Sequence, residues 1–296
     1  MNRTRAVLAG PRELAGRLRT YASLVRLSHT VFALPFALTG AMLAAVETPL
    51  TAARLAWIVA AMATARTAAM GFNRLVDARS DALNPRTRNR ELPRGRVSRR
   101  EAAVLVGVSS AAFVAVTSRI SVLCLALSPV ALGIVFWYSL AKRYTTWTQV
   151  FLGVALAVAP VGGWIAAGGG AGWEPWLLAI GTGTWVAGFD ILYACQDVEF
   201  DRSHGLRSIP ARFGVARALT IARAFHVLTV AALASLAWVV PLGPVYLAGV
   251  AGVAALLAYE QSLVRPGDLS RVMQAFDLNG YVGVLYCVAT AVAIHV

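Results

Sequence analysis

The sequence predicts an all-α integral membrane protein with nine transmembrane helices, and three observations carry this prediction. Of the 296 residues, 58% are hydrophobic and only 14% are charged, whereas soluble globular proteins carry about 25% charged residues. The apolar residues are grouped in stretches of about 20, the length that a helix needs to cross roughly 30 Å of hydrocarbon. The basic residues fall on alternate connections between these stretches. A soluble fold is therefore disfavoured.

Each apolar stretch is expected to be helical, because the lipid interior has no water to satisfy open backbone groups. The third and fourth stretches are joined tightly at Ser118 and Arg119, and the seventh and eighth meet at a turn that contains Pro241 and Pro244. The nine predicted spans are 28–46, 52–76, 102–118, 120–140, 148–168, 174–196, 217–239, 241–263 and 273–295.

The basic residues predict the orientation in the membrane. The formal net charge is +13, and 26 of the 27 basic residues are arginines. The N-terminal segment and alternate loops hold 24 of the 27, whereas Arg54 and Arg119 are on the opposite side and Arg66 lies inside the second span. The positive-inside rule then places the N-terminus in the cytoplasm and the C-terminus outside, in a bacterial-type inner membrane. Since this distribution follows topology, the lipid bilayer is the expected partner of the basic loops, and nucleic acid is not.

The second span ends in three polar residues spaced four apart: Asn73, Asp77 and Asp81. On a helix this spacing gives one oblique stripe, which would lie at the cytoplasmic mouth of the bundle. Carboxylate and amide oxygens are hard ligands that suit Mg²⁺, and Mg²⁺ is often shared with substrate phosphates. A single DxxxD pattern is weak evidence, because helix ends often carry acids.

A second DxxxD pattern ends the sixth span and makes the first one harder to dismiss. Asp197 and Asp201 repeat Asp77 and Asp81 after 120 residues. Asp190 and Tyr193 precede them at offsets that predict one shared helical face. The repeat predicts a single membrane domain in which each of two related four-helix units brings one acidic motif to the same membrane side. The expected divisions are a cytoplasmic segment 1–27, four-helix units 28–140 and 148–263, and a ninth helix 273–296.

The electrostatics of the acidic mouth predict the kind of ligand. Carboxylates that hold Mg²⁺, surrounded by guanidinium groups that pair with phosphate oxygens, describe a diphosphate site. A bundle that opens sideways to lipid would suit a substrate with a phosphate head and a long hydrocarbon tail. Arg66, inside the second span, should face a polar interior or a carboxylate partner, either as part of the site or as a structural ion pair.

Three stretches, 71–98, 138–153 and 189–214, resemble the UbiA superfamily of intramembrane prenyltransferases, and with the nine-span plan this resemblance covers nearly the whole chain. It implies two four-helix bundles plus one helix, with Mg²⁺ and a polyprenyl diphosphate bound at the two acidic motifs. One departure is Arg74, where many members have an acid, so this chain is expected to supply one metal ligand fewer than those members. The residues implied as metal ligands are Asn73, Asp77, Asp81, Asp197 and Asp201. Those implied near the diphosphate or the cavity are Arg66, Lys142, Arg143, Asp190, Tyr193 and Arg207. Arg86, in the loop that follows the first motif, is expected to stabilise the departing diphosphate with them.

The segments 26–38 and 89–93 resemble the 4-hydroxybenzoate-polyprenyltransferase-like branch, which includes prenyltransferases of the futalosine route to menaquinone. This implies an aromatic carboxylate acceptor, either 4-hydroxybenzoate or a dihydroxynaphthoate, in ubiquinone or menaquinone biosynthesis. In this reaction Asp77 and Asp197 act through the metal. Asp190 either removes the ring proton or orients the acceptor. Arg26 either pairs with the acceptor carboxylate or anchors the chain to lipid headgroups.

The sequence also leaves other acceptors and one other class of protein open. Within the superfamily, heme, chlorophyllide or phosphoribose acceptors are alternatives. A secondary transporter would also carry repeats and intramembrane charges. Its coupling residues usually lie near the membrane midplane, however, whereas these acids are at one mouth.

Overall fold

The computed structural model describes residues 11–25, 33–46 and 49–296, and the described chain is almost entirely helical. A short α1 (Pro11–Leu24) precedes eleven further helices. These are α2 (Leu34–Ala44), α3 (Ala52–Leu83), α4 (Arg99–Ile120), α5 (Val122–Tyr144), α6 (Thr148–Ala167), α7 (Glu174–Ala194), α8 (Val198–Ser203), α9 (Ile209–Phe213), α10 (Val215–Ser235), α11 (Gly243–Leu263) and α12 (Val272–His295).

Within the described part of the chain, eight helical segments are long and apolar enough to cross a membrane, beginning with α3. The first predicted span, 28–46, is represented by α2, which has 11 residues. Residues 26–32 and 47–48 lie outside the described parts of the chain. The count of nine spans and the division into two four-helix units plus one helix therefore stay predictions.

Two predicted helix ends differ from the structure. The second span was expected to end at residue 76, but α3 continues for 32 residues to Leu83 and carries all of the first acidic motif. The expectation that residues 190–201 share the face of one helix is wrong, because α7 ends at Ala194 and Cys195–Asp197 form a 3₁₀ turn before α8 begins. This turn changes the direction in which Asp197 and Asp201 project relative to Asp190.

Small residues allow the central helices to approach closely. A methyl group at Gly40 of α2 would overlap the carbonyl oxygen of Pro160 in α6, and one at Gly163 of α6 would overlap that of Ala37 in α2. Gly153 of α6 meets the backbone of Gly183 in α7 in the same way. Without a hydrophobic driving force between helices in lipid, such close backbone contact is a main source of helix association.

The other side of the core is formed by α7, α10, α11 and α12, and it contains a buried polar network. Trp185 donates its indole N–H to Asn279 (2.6 Å), and Asn279 donates to Glu260 (3.1 Å). The hydroxyl groups of Tyr246 and Tyr286 lie 2.8 Å apart. These hydrogen bonds tie α7, α11 and α12 to one another, and Tyr193 near the end of α7 packs on Phe276 of α12.

Candidate active site

Four segments meet at one end of the bundle, and both acidic motifs lie there. They are the last turns of α3, the loop 84–98, the end of α5, and the segment 195–208 that follows α7. We call this the site end of the bundle. The N-terminal helix α1 is at the same end, because Tyr21 donates to Glu101 and Ser23 donates to Glu91.

Asp77 is the most heavily contacted carboxylate of the first motif, and only 4% of the residue is exposed. Its Oδ2 is 2.7 Å from Lys142 Nζ, and its Oδ1 is 3.2 Å from a guanidinium nitrogen of Arg143. Asn73, one turn earlier on α3, donates its side-chain amide to Asp77 (3.3 Å). The basic pair that ends α5 therefore meets the first motif directly.

Asp81 has a different partner. One guanidinium nitrogen of Arg90 lies 2.8 Å from both of its carboxylate oxygens. Thr87 also donates its hydroxyl to the Asp81 carbonyl oxygen (3.1 Å). Asp81 thus holds the loop 84–98 against the end of α3.

Asp197 of the second motif is bound by residues that follow the first motif. Arg86 contacts both of its carboxylate oxygens through two nitrogens, one of them at 3.0 Å, and Asn84 donates its amide to it at 3.0 Å. Arg86 also donates to the Tyr193 hydroxyl and lies 4.9 Å from the centre of its ring. Burial, the largest single influence, lowers the pKa of the Arg86 guanidinium, but the hydrogen bond to Asp197 and the charge interactions with Tyr193, Asp197 and Asp81 together outweigh burial, and the pKa is raised above its usual value.

Two further acids, Asp190 of α7 and Asp201 of α8, lie within the same electrostatic field. Asp201 accepts a hydrogen bond from Ser208 (2.8 Å). Asp190 is on α7, seven residues before Asp197, and the charges of Asp197, Arg86, Asp201 and Lys142 act on it. The structure therefore brings Asp190 to the region where residues of both motifs converge.

The predicted basic residues are not all in one place. Arg207 is exposed and lies over the end of α5, where its backbone N–H donates to the Lys142 carbonyl (2.8 Å) and its side chain donates to the Tyr144 carbonyl. Arg66 is two turns below Asn73 on α3, and its buried Nε has no hydrogen-bond partner among the described residues. Arg26 lies outside the described residues.

Arg74, the departure from the family pattern, binds the end of the N-terminal helix. It is 4% exposed, and its Nε donates to the Leu24 carbonyl at the end of α1 (3.2 Å). A basic side chain at a helix C-terminus complements the unsatisfied carbonyl groups there. This position thus connects α3 to α1.

Two site residues, Asn84 and Arg90, were absent from the sequence predictions. Both are in the Arg-rich loop, and nothing in their local sequence marks which arginine or amide meets a carboxylate. The only available signal was proximity, since Asn84 ends α3 three residues after Asp81 and Arg90 follows nine residues after it. Their partners are set by the path of the loop.

The oxygen atoms of the acidic motifs are of a kind that fits Mg²⁺. Among the described residues, however, no three His, Cys, Asp or Glu side chains are already grouped around a metal position. Asp77 and Asp197 already face positive charge, from Lys142, Arg143 and Arg86. Carboxylate and amide oxygens are the ligands that Mg²⁺ prefers. The carboxylates would become available to a cation once the basic side chains turn to an anionic ligand.

Long apolar helices, with carboxylates and basic side chains interleaved at one end, define an integral membrane protein with a site for a charged ligand group. The chain belongs to the UbiA prenyltransferase family, whose model matches residues 33–283. It is accordingly a prenyltransferase, as the resemblance in the sequence predicts.

Individual relatives agree with this assignment. The 4-hydroxybenzoate octaprenyltransferase of Vibrio campbellii is 30% identical over 231 residues, which is 77% of this chain and 80% of that protein. The enzyme of the same name from Alkalilimnicola ehrlichii is 32% identical over 230 residues, 78% of each chain.

Solved structures give the same fold. The apo structure of a UbiA homolog from Aeropyrum pernix K1 is 36% identical, with a TM-score of 0.82 over 90% of this chain and 98% of that chain. The UbiA homolog from Archaeoglobus fulgidus bound to GPP and Mg²⁺ is 22% identical, with a TM-score of 0.69 over 94% of this chain and 100% of that chain. At that identity the likeness concerns the fold.

Proposed function

We propose that this prenyltransferase moves a polyprenyl group from an allylic polyprenyl diphosphate to an aromatic carboxylate, with Mg²⁺ as its cofactor, at the cytoplasmic face of a bacterial-type inner membrane. The acceptor is 4-hydroxybenzoate or a dihydroxynaphthoate, in ubiquinone or menaquinone biosynthesis. The names of the curated relatives support 4-hydroxybenzoate. The observation that carries the proposal is the direct pairing of Asp77 and Asp197 with Lys142, Arg143 and Arg86 at one end of the bundle.

The basic side chains bind and neutralise the diphosphate. Lys142, Arg143 and Arg86 already point at the carboxylates that flank the binding position, so a short reorientation of each head group transfers it to a phosphate oxygen. Arg207 lies beside the end of α5 and adds a further positive charge. When bound by Asn73, Asp77, Asp81, Asp197 and Asp201, Mg²⁺ supplies positive charge against the phosphate oxygens.

In the reaction, the bond between the first prenyl carbon and the diphosphate oxygen breaks, and its electron pair leaves with the diphosphate. Lys142, Arg143 and Arg86 stabilise the charge that grows on that group. A carbon–carbon bond then forms between the prenyl carbon and the acceptor ring. The ring proton leaves to a base; in this proposal Asp190 either accepts that proton or orients the acceptor.

We assign acceptor binding to Arg66 and Arg26, with Tyr193 beside them in the proposal. Arg66 has a buried guanidinium nitrogen without a partner among the described residues, so it offers a donor to an acceptor carboxylate. Arg26 shares this role in the proposal, on the strength of the sequence alone. Tyr193, packed at 4.9 Å on Phe276, offers an aromatic face next to Arg86.

The test uses purified protein in lipid nanodiscs, supplied with octaprenyl diphosphate and either 4-hydroxybenzoate or dihydroxynaphthoate. We expect a prenylated product that requires Mg²⁺ and disappears with EDTA. Asp77→Ala and Asp197→Ala should each abolish product formation at unchanged protein levels, whereas Asp268→Ala, in the exposed loop between α11 and α12, should remain active. Full activity in either site variant would contradict the metal-site assignment. Prenylation of neither acceptor would instead favour a heme, chlorophyllide or phosphoribose substrate.

A further inference from the structure

Asn84 follows the last residue of α3, and its side chain contacts both the loop after the first acidic motif and Asp197 of the second motif. The residue is 7% exposed. Its Oδ1 accepts the backbone N–H of Arg86 (2.9 Å), and its Nδ2 donates to the Asp197 carboxylate (3.0 Å). One amide therefore contacts its own loop and a carboxylate that lies 113 residues further along the chain.

The contacts form a closed ring, because Arg86 also binds Asp197 directly. The ring permits only one orientation of the amide. If its oxygen and nitrogen exchanged places, an N–H group would face the Arg86 N–H and a carbonyl oxygen would face a carboxylate. An asparagine supplies one acceptor and one donor at this reach, whereas an aspartate would place a second negative charge against Asp197.

We propose that Asn84 is a positioning residue, which holds Arg86 and Asp197 in the register required by the diphosphate and its metal ion; this inference rests on the proposed function. When the Arg86 side chain turns to the diphosphate, Asp197 loses two of its hydrogen bonds. Asn84 continues to hold one carboxylate oxygen and, through the backbone, the start of the Arg86 segment. The Asp197 carboxylate and the backbone of Arg86 therefore keep their relative positions while the Arg86 guanidinium turns away.

The first test measures binding without turnover. Geranyl S-thiolodiphosphate, which is cleaved very slowly, is titrated in the presence of Mg²⁺ into wild type, Asn84→Ala and Asn84→Asp by calorimetry. Because removal of a supporting contact near a metal site costs about 10- to 100-fold in affinity or activity, we expect the dissociation constant to rise about tenfold or more in both variants. Asn89→Ala is the matched control, since Asn89 is an exposed amide of the same loop that contacts Arg94. Its dissociation constant should stay within about twofold of wild type, the scale of an ordinary surface change.

The second test asks whether Asn84 acts through Arg86. Interacting residues give non-additive effects in a double-mutant cycle. In an Arg86→Gln background the guanidinium is gone, but the backbone N–H of residue 86 and the Asp197 carboxylate remain, so Asn84→Ala should weaken analogue binding by clearly less than it does in the protein that retains Arg86. If Asn84→Ala raises the dissociation constant in the Arg86→Gln background by the same factor as in the protein that retains Arg86, Asn84 acts as a general structural residue, and the proposal is overturned. Asn84→Ser, which keeps an acceptor for the Arg86 N–H, serves if Asn84→Ala fails to fold.

The outcome separates this inference from the function on which it rests. If wild type binds the analogue and forms product while Asn84→Ala and Asn84→Asp bind it equally well, only the positioning role is overturned. If wild type neither binds the analogue nor transfers a prenyl group, the proposed function fails first.

Discussion

Arg90 determines how Asp81 can act at the site. The Asp81 side chain is 8% exposed and the Arg90 side chain 20% exposed, and the two are joined at 2.8 Å. Removing one member of a largely buried ion pair leaves the other charge without compensation, which costs more than the pair contributes. The pair also fixes the loop that carries Arg86 and Asn84.

We therefore expect Arg90→Ala to destabilise the protein by roughly 3 kcal/mol, because Asp81 keeps its charge without its partner. The measurement is the thermal unfolding midpoint in detergent. The double variant Asp81→Asn with Arg90→Gln should recover a large part of the loss, since it leaves no buried charge. An unchanged unfolding midpoint in Arg90→Ala would contradict this prediction, because it would show that water can solvate the Asp81 carboxylate once Arg90 is removed.

At the residue scale the sequence could predict which acids belong together, but not their partners. Asp77 and Asp197 are recognisable because they recur at an interval of 120 residues. The contact of Asp77 with Lys142 follows once both are placed at helix ends on one membrane side. The contacts of Asp197 with Asn84 and Arg86 depend on the path of a loop with many arginines of equal local character, and only the folded chain distinguishes among them.

Among the helices, hydropathy predicted the eight long apolar helices from α3 onward, but not where they end. Polar residues after position 76 shift the hydropathy toward that of a loop, yet α3 continues to Leu83, because a helix that leaves the membrane can remain helical in water. The 3₁₀ turn at Cys195–Asp197 was also missed, since its residues are compatible with a helix. The position of Asp197 in this turn is fixed by Arg86 and Asn84, which are more than 100 residues earlier in the chain, so no local pattern predicts it.

The contact between α2 and α6 gives a prediction at this scale. Gly162 and Gly163 are neighbours in α6, but only a methyl group at Gly163 would meet backbone atoms of α2, whereas one at Gly162 meets nothing within 4 Å. We expect Gly163→Ala to destabilise the protein by about 1–3 kcal/mol, because the two helices must move apart. The matched variant Gly162→Ala should be neutral or stabilising by up to about 1 kcal/mol, since alanine favours a helix. Thermal unfolding of both variants in detergent is the measurement, and equal midpoints would contradict the close packing.

At the scale of the whole molecule, the excess of positive charge has two uses. Within the described residues, Arg86, Arg90, Lys142 and Arg143 neutralise carboxylates of the acidic motifs. Many other arginines are exposed in the same loops, among them Arg88, Arg96 and Arg202. At the other end of the bundle, Arg54 approaches Gly168, close to the end of α6. The exposed basic loops, from which the orientation is predicted, and the basic side chains that pair with the acidic motifs therefore lie at one end.

This arrangement predicts the topology. Basic connections are retained in the cytoplasm, so the loop 84–98 should face inward and the connection 168–173 outward. After replacement of Cys124, Cys195 and Cys287 by alanine, Arg96→Cys and Gly170→Cys are made separately and treated with a membrane-impermeant maleimide. We expect Gly170→Cys to react in intact cells and Arg96→Cys only after permeabilisation. The reverse pattern would place the acidic motifs on the outer face, where the proposed reaction would have no access to a prenyl diphosphate made in the cytoplasm.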